Sequence, residues 1–210
     1  MNKVIYGECL EEMKKFPDNH FDLCMTDPPY GILNKTKRGG QRSPHKYKIR
    51  AEKWDFKPSK EYFDELIRIS KHQIIWGGLF FTDILKPTQG WIFWDKKQPV
   101  KNFARGEMAW TSFDFPLKYF EFMYYGNINS DPNRQHPTQK PVELFSWILE
   151  NYTKEGETII DPFAGSGTTA ISCINMGRKY TLIEKEKEYI DIINKRIETH
   201  LDGNLLEYAK

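Results

Sequence analysis

The sequence predicts an α/β protein: a mixed, mostly parallel sheet with helices on both faces. Three observations point there. Strand-like and helix-like segments alternate along the chain, the pattern of a largely parallel sheet covered by helices. Two of the strands, residues 21–26 and 158–161, run into an acidic residue and a tight loop, and open α/β sheets place their chemistry at such carboxyl ends. The second loop is glycine-rich and enters a helix. At 210 residues, one domain spanning 1–210 is expected, large enough to bury a core without staples.

The elements follow in order. Residues 4–7 read as a short strand and 9–16 as a helix ended near Pro17. Residues 21–26 form the next strand, and 31–58, with no sustained period and a Gly39-Gly40 pair, read as loop. Ser59 is a suitable N-cap for a helix through Lys71, its apolar side formed by Tyr62, Phe63, Leu66, Ile67 and Ile69. Residues 73–76 predict a strand stopped by Gly77-Gly78, and 80–85 a short helix stopped by Pro87. Strands are predicted at 90–95, 107–112 and 119–125, all aromatic and β-prone. Pro141 suits the first position of a helix through Asn151. A buried-type strand at 158–161, a helix at 167–176 ended by Gly177, a strand at 179–184 and a helix at 187–200 complete the chain. Ile190, Ile193 and Ile197 share one side of that last helix.

Composition narrows the class. The aromatic fraction of 15% is high; most rings belong in a core, but a surplus suits a protein that stacks on bases. Cys9, Cys24 and Cys173 are odd in number and lack metal-ligand spacing, so they read as reduced thiols of a cytoplasmic protein. The five histidines are dispersed and match no zinc or iron spacing, so no metal site is expected. No apolar run reaches membrane-spanning length, and the amino terminus lacks a signal pattern. The net charge of +2 conceals a local excess: nine Lys or Arg against Glu52 and Asp55 lie between Lys35 and Lys57. Such a stretch in an otherwise acidic chain points to a polyanion partner, with Lys35, Lys37, Arg38, Arg42, Lys46, Lys48 and Arg50 as candidate phosphate contacts. Its alternative reading is a solvated loop.

The glycine loop is Asp161-Pro162-Phe163-Ala164-Gly165-Ser166-Gly167-Thr168-Thr169. Glycines allow a tight turn and close approach to a ligand, and the helix that follows offers amides and a partial positive charge. Glu184, closing the next strand, lies 19 residues beyond Gly165, near the roughly 20 expected of an acid that binds ribose hydroxyls. A phosphate-binding loop would need lysine before its last hydroxyl residue; Thr168 stands there instead. Asp161 also fits a ligand's amino group better than a pyrophosphate.

The other loop, Asp27-Pro28-Pro29-Tyr30, supplies a carboxylate, backbone carbonyls and an aromatic ring on a stretch stiffened by consecutive prolines. This loop resembles the catalytic loop of the DNA amino-methyltransferases, whose target, an exocyclic base amine, is a poor nucleophile because its lone pair is delocalised into the ring. Two acceptors gripping its hydrogens, the Asp27 carboxylate and the Pro28 carbonyl, would favour a pyramidal, reactive nitrogen. Tyr30 offers a flat face to an extruded base. Methylation at a ring carbon would instead need a cysteine nucleophile. In that family the cysteine follows a proline; Cys9, Cys24 and Cys173 follow Glu8, Leu23 and Ser172.

Together these strings resemble the catalytic and cofactor loops of the S-adenosylmethionine-dependent DNA amino-methyltransferases. The catalytic loop comes first, as in the circularly permuted beta class. Two further segments share the likeness. His136-Pro137-Thr138-Gln139-Lys140-Pro141 is similar to the family's segment at the methionine end, where Thr138 and Lys140 would hold the carboxylate and His136 would lie alongside. Read without the family it is a helix start with a capping threonine. Gly7-Glu8-Cys9 aligns with a segment that contacts the adenine, with Glu8 in place of the usual aspartate. Lys185, beside Glu184, belongs to the same expected cofactor site.

The resemblance implies a Rossmann-like methyltransferase fold with a seven-stranded sheet, S-adenosylmethionine converted to S-adenosylhomocysteine, DNA as partner, a homodimer, and a prokaryotic or phage source. A restriction endonuclease partner is compatible with it. Aspartate at the head of the catalytic loop favours N6-adenine as the target. N4-cytosine is the first alternative, RNA or protein amide methylation ranks lower, and a non-catalytic cofactor- or nucleic-acid-binding module is the reading of a different class. With little room for a separate specificity domain in 210 residues, residues 31–58 and 96–135 are the expected DNA-contacting loops.

Overall fold

In the computed structural model, residues 2–32, 55–99, 104–124 and 139–208 are described. They form an eight-stranded sheet in the order β1-β8-β7-β2-β3-β5-β4-β6. The strands are β1 (Lys3–Tyr6), β2 (Phe21–Thr26), β3 (Ser70–Trp76), β4 (Trp91–Asp95), β5 (Gly106–Thr111), β6 (Lys118–Glu121), β7 (Thr158–Asp161) and β8 (Lys179–Glu184). The helices are α1 (Cys9–Met13), α2 (Lys60–Ile69), α3 (Val142–Tyr152), α4 (Thr168–Asn175) and α5 (Lys187–Tyr208), with a 3-10 turn at Gly78–Phe81.

The sheet has one strand more than the family likeness implied. All eight strand segments seen in the sequence enter it, because β6 pairs parallel to β4 and extends the edge. Only β5 runs antiparallel to its neighbours, β3 and β4. The span 96–135, expected as a DNA-contacting insertion, thus contains two strands of the main sheet.

Side chains alternate between two cores, as period-two strands buried on both faces require. Leu23, Met25, Ile74, Trp76, Ile92, Trp94, Ile159 and Leu182 point to the face covered by α3, α4 and α5. Cys24, Ile75, Trp110, Ile160 and Ile183 point to the face covered by α1, α2 and the 3-10 turn. The reason lies in β2 and β7, which pair side by side through Leu23↔Ile159 and Cys24↔Ile160. From β2 the chain moves outward to β3, and from β7 it moves the other way to β8. Right-handed crossovers in opposite directions place their helices on opposite faces. The two acid-ended loops therefore leave the sheet on either side of a topological switch point.

Local signals set most boundaries. The Ser59 hydroxyl caps α2 by accepting from the Tyr62 amide at 3.3 Å. The predicted helix of 80–85 is a 3-10 turn starting at Gly78, because Gly77 adopts a left-handed φ of 66° and tightens the chain. α2 stops at Ile69 rather than Lys71, and β3 takes up Ser70 at once to pair with Phe21. Ile67, expected on the apolar side of α2, is 42% exposed; Tyr62, Phe63, Leu66 and Ile69 fill that face. α5 continues past His200 to Tyr208. Among the described residues, no helix is long and apolar enough to cross a membrane.

Candidate active site

A pocket opens at the carboxyl ends of β2, β7, β8 and β1. It is lined by Glu8, Cys9, Asp27, Pro29, Lys140, Asp161, Pro162, Phe163, Ala164, Gly165, Ser166, Thr168, Thr169, Glu184 and Lys185, all picked out by the sequence. Gln139, Phe145, Glu186 and Tyr189 join them. Pro28, between Asp27 and Pro29 in the same loop, is buried and is not among the lining residues. Gly167 takes a φ of 81°, where an added Cβ would crowd Ile193 of α5 at 3.1 Å; it seats the start of α4 against that helix. His136, Thr138 and the seven basic positions from Lys35 to Arg50 lie outside the described residues.

The glycine loop is held by its own acids. Glu184 accepts from the Gly165 amide and, through its other oxygen, from the Glu186 amide, both at 2.9 Å. Gly7, in turn, donates to the Glu184 carbonyl at 3.0 Å, bringing Glu8 and Cys9 to the same rim. Burial raises the Glu184 pKa, opposed by the backbone amides it binds. Asp161 is 4% exposed; it accepts from the Thr169 hydroxyl at 2.6 Å and the Phe163 amide at 3.1 Å. Among the described residues no cation pairs with it, and burial pushes its pKa up to about 6. A buried carboxyl in that condition is a receptor for a cation. Ser166 donates to the Gln139 side chain at 2.9 Å, and Arg196 donates to the Ser166 carbonyl at 2.6 Å.

The catalytic loop is equally constrained. Tyr30 donates its hydroxyl to Asp27 Oδ1 at 2.5 Å. Its ring stacks on Phe80, with centroids 4.7 Å apart and planes 19° apart, and meets Phe81 edge-on. Gly77 fits beneath the ring, where a Cβ would overlap it. Asp27 Oδ2 is met by the Lys140 ammonium, which also touches Glu107 Oε2 at 3.1 Å. Lys140 was expected to face a ligand carboxylate; it lines the pocket, but here its charge is taken up by these two acids.

Glu107, Gln139, Gly77 and Phe80 were not singled out from the sequence. The available signals were an acid inside an otherwise apolar strand and a glycine pair followed by aromatics. Burial raises the pKa of every cysteine, Cys9 to about 11, so none is a thiolate at neutral pH. Among the described residues, no three His, Cys, Asp or Glu side chains converge as a metal site.

Fold and site define a Rossmann-like methyltransferase: a mostly parallel sheet with an acid-ended loop on each side of its switch point. The chain belongs to the DNA methylase family of N6 and N4 enzymes, whose model it matches over residues 80–195. It is 27% identical over 246 aligned positions to the type II methyltransferase M.HinfI of Haemophilus influenzae, covering 94% of this chain and 68% of that one. Among solved structures it resembles the M1.HpyAVI–SAM complex, with a TM-score of 0.61, 21% identity, and 94% and 99% of the two chains covered. It also resembles the cytosine-N4-specific PvuII DNA methyltransferase, with a TM-score of 0.63, 16% identity, and 96% and 91% covered. At these identities the structural likeness is one of fold.

Proposed function

We propose that this protein methylates the N6 amine of adenine in DNA, using S-adenosylmethionine. The carrying observation is that the Asp27 and Asp161 loops, 134 residues apart in sequence, line one pocket. The pocket's chemistry fits the cofactor: Asp161, buried and paired with no cation among the described residues, would take its amino group, Glu184 its ribose hydroxyls, and Glu8 and Cys9 its adenine edge. When bound, the cofactor supplies an electrophilic methyl on a sulfonium. The protein's part is to orient and activate the amine. Asp27 and the Pro28 carbonyl would accept its two hydrogens, localising the nitrogen lone pair, and stiff proline backbone limits the entropy lost in that arrangement. Tyr30, its ring already stacked on Phe80 and seated over Gly77, would act through the hydroxyl that holds Asp27 rather than as a free face for the extruded base.

Asp27 at the loop head supports adenine. N4-cytosine is the second reading, since the same fold serves the cytosine-N4-specific PvuII enzyme. DNA contacts by the basic segment 35–57 and a homodimer complete the proposal. The test is transfer of labelled methyl groups to duplex DNA, with digestion to nucleosides to identify the product. Wild-type protein should yield N6-methyladenine, and Asp27→Ala should lose at least about a hundredfold in turnover, an acceptor in a dry site contributing on the order of 3 kcal/mol. Methylcytosine as the product would select the alternative. Cofactor binding without transfer would favour a binding module.

A further inference from the structure

Beside the pocket, four charged side chains from four separate segments form a line of alternating sign: Asp27, Lys140, Glu107 and Lys96. Each touches the next. The two ammonium groups also rest on indole rings: Lys140 lies 5.3 Å from the Trp76 centroid and Lys96 4.7 Å from that of Trp94. Trp94 is the register partner of Glu107 across β4 and β5. Two indole faces stabilise cations that have left bulk water. Lys140 is only 6% exposed, and a charge so buried needs acidic partners. Nearby Lys140 and Lys96 lower the Glu107 pKa to about 2 against the opposing effect of burial. The two ammonium groups thus favour the carboxylate form of Glu107.

This arrangement poses a problem for the reaction. An ammonium on Asp27 Oδ2 occupies an oxygen that the target amine needs, and it weakens the carboxylate as an acceptor. Removing Lys140 from Asp27 would strand a buried cation unless another anion holds it. Glu107, 3.1 Å from the same ammonium, is that anion.

We propose that Glu107 is a positioning residue for methyl transfer: it retains Lys140 when the target amine displaces it from Asp27. The inference rests on the methyltransferase reading above, through the role given to Asp27. Glu107 touches neither base nor cofactor in this scheme; it acts through Lys140. Asp27 then enters the reaction as an acceptor freed from its cation, while the Lys140 charge stays compensated throughout.

The experiment is single-turnover methyl transfer at saturating DNA and cofactor, with cofactor affinity measured by calorimetry. Wild-type activity and its loss in Asp27→Ala test the underlying reading; the Glu107 series tests the inference separately. Glu107→Gln leaves Asp27 as the anionic partner of Lys140 among the described residues. Its rate should fall tenfold or more, with cofactor Kd changed less than twofold, and Glu107→Asp should recover most of the loss. In a Lys140→Met background, adding Glu107→Gln should cost no further rate. Lys96→Met, which cuts the far end of the line and leaves Glu107 to Lys140 alone, should keep the wild-type rate or exceed it. A wild-type rate in Glu107→Gln, or independent multiplying losses in the double variant, would overturn the proposal. So would a tenfold fall in Lys96→Met, which remains decisive if Glu107→Gln does not fold.

Discussion

Gly77→Ala is the perturbation whose effect follows most directly from geometry. Gly77 has a φ of 66°, and an added Cβ would come within 2.8 Å of Tyr30 Cδ1 and closer still to Cε1 and Cζ. Carbon atoms at rest lie about 3.5–4.0 Å apart, so the ring must shift by about 1 Å or more. The left-handed backbone alone costs a residue with a β-carbon about 1–2 kcal/mol. Disturbing the stack on Phe80 adds about 0.5–1.5 kcal/mol. A loss of about 2–3 kcal/mol lowers Tm by roughly 5–10 °C in a domain of this size. The catalytic effect should exceed the share due to unfolding, because the moved ring carries the hydroxyl bound to Asp27 at 2.5 Å. A 1 Å misplacement near reacting groups can cost about a hundredfold in rate. The assay is single-turnover transfer below the lowered Tm, with cofactor calorimetry beside it. Cofactor affinity should hold, since neither Gly77 nor Tyr30 lines that pocket. A Gly77→Ala protein with the wild-type rate would show that Tyr30 and its link to Asp27 do not set the catalytic geometry.

Three further outcomes are expected. Asp161 titrates near 6 when folded against 3.8 unfolded, so between those values the unfolded chain releases its proton first and stability without cofactor falls as pH rises. At about 1.4 kcal/mol per pKa unit this amounts to about 3 kcal/mol. A cofactor ammonium favours the carboxylate, so cofactor affinity should fall by up to about tenfold per pH unit below 6. Asp161→Asn should abolish that slope; cofactor calorimetry between pH 5 and 8 checks the affinity, and thermal unfolding without cofactor between pH 3.5 and 7 checks the stability. Glu184→Ala removes the acceptor of the Gly165 and Glu186 amides and should weaken cofactor binding about tenfold or more, at about 1.4 kcal/mol per decade. Its saturated rate should change less, a split read from KM and kcat. Replacing Lys35, Lys37, Arg38 and Arg42 with alanine should flatten the salt dependence of DNA affinity by about 0.9 in log–log slope per lost phosphate contact. Titrations at several salt concentrations measure it, with cofactor affinity as the control.

The sequence by itself determined what depends on neighbours along the chain. Strands β2, β7 and β8 have their predicted bounds because apolar runs, an acid and a glycine or proline mark them within a few residues. The two reactive loops were legible for the same reason: Asp27-Pro28-Pro29-Tyr30 and the Gly165–Gly167 turn have their chemistry in consecutive positions. Only the tertiary structure decided what those loops meet. Periodicity says that a strand is buried, not beside which strand, so it left open that β2 and β7 pair and bring Asp27 and Asp161 to one pocket. It could not place Glu107 against Lys140, 33 residues away, because that contact requires β5 to reverse direction between β3 and β4. Nor could it show Ile67 turned to solvent, since four other residues already fill that face of α2. Contacts between distant segments follow from the order of strands in the sheet, and that order is settled by packing the whole core at once.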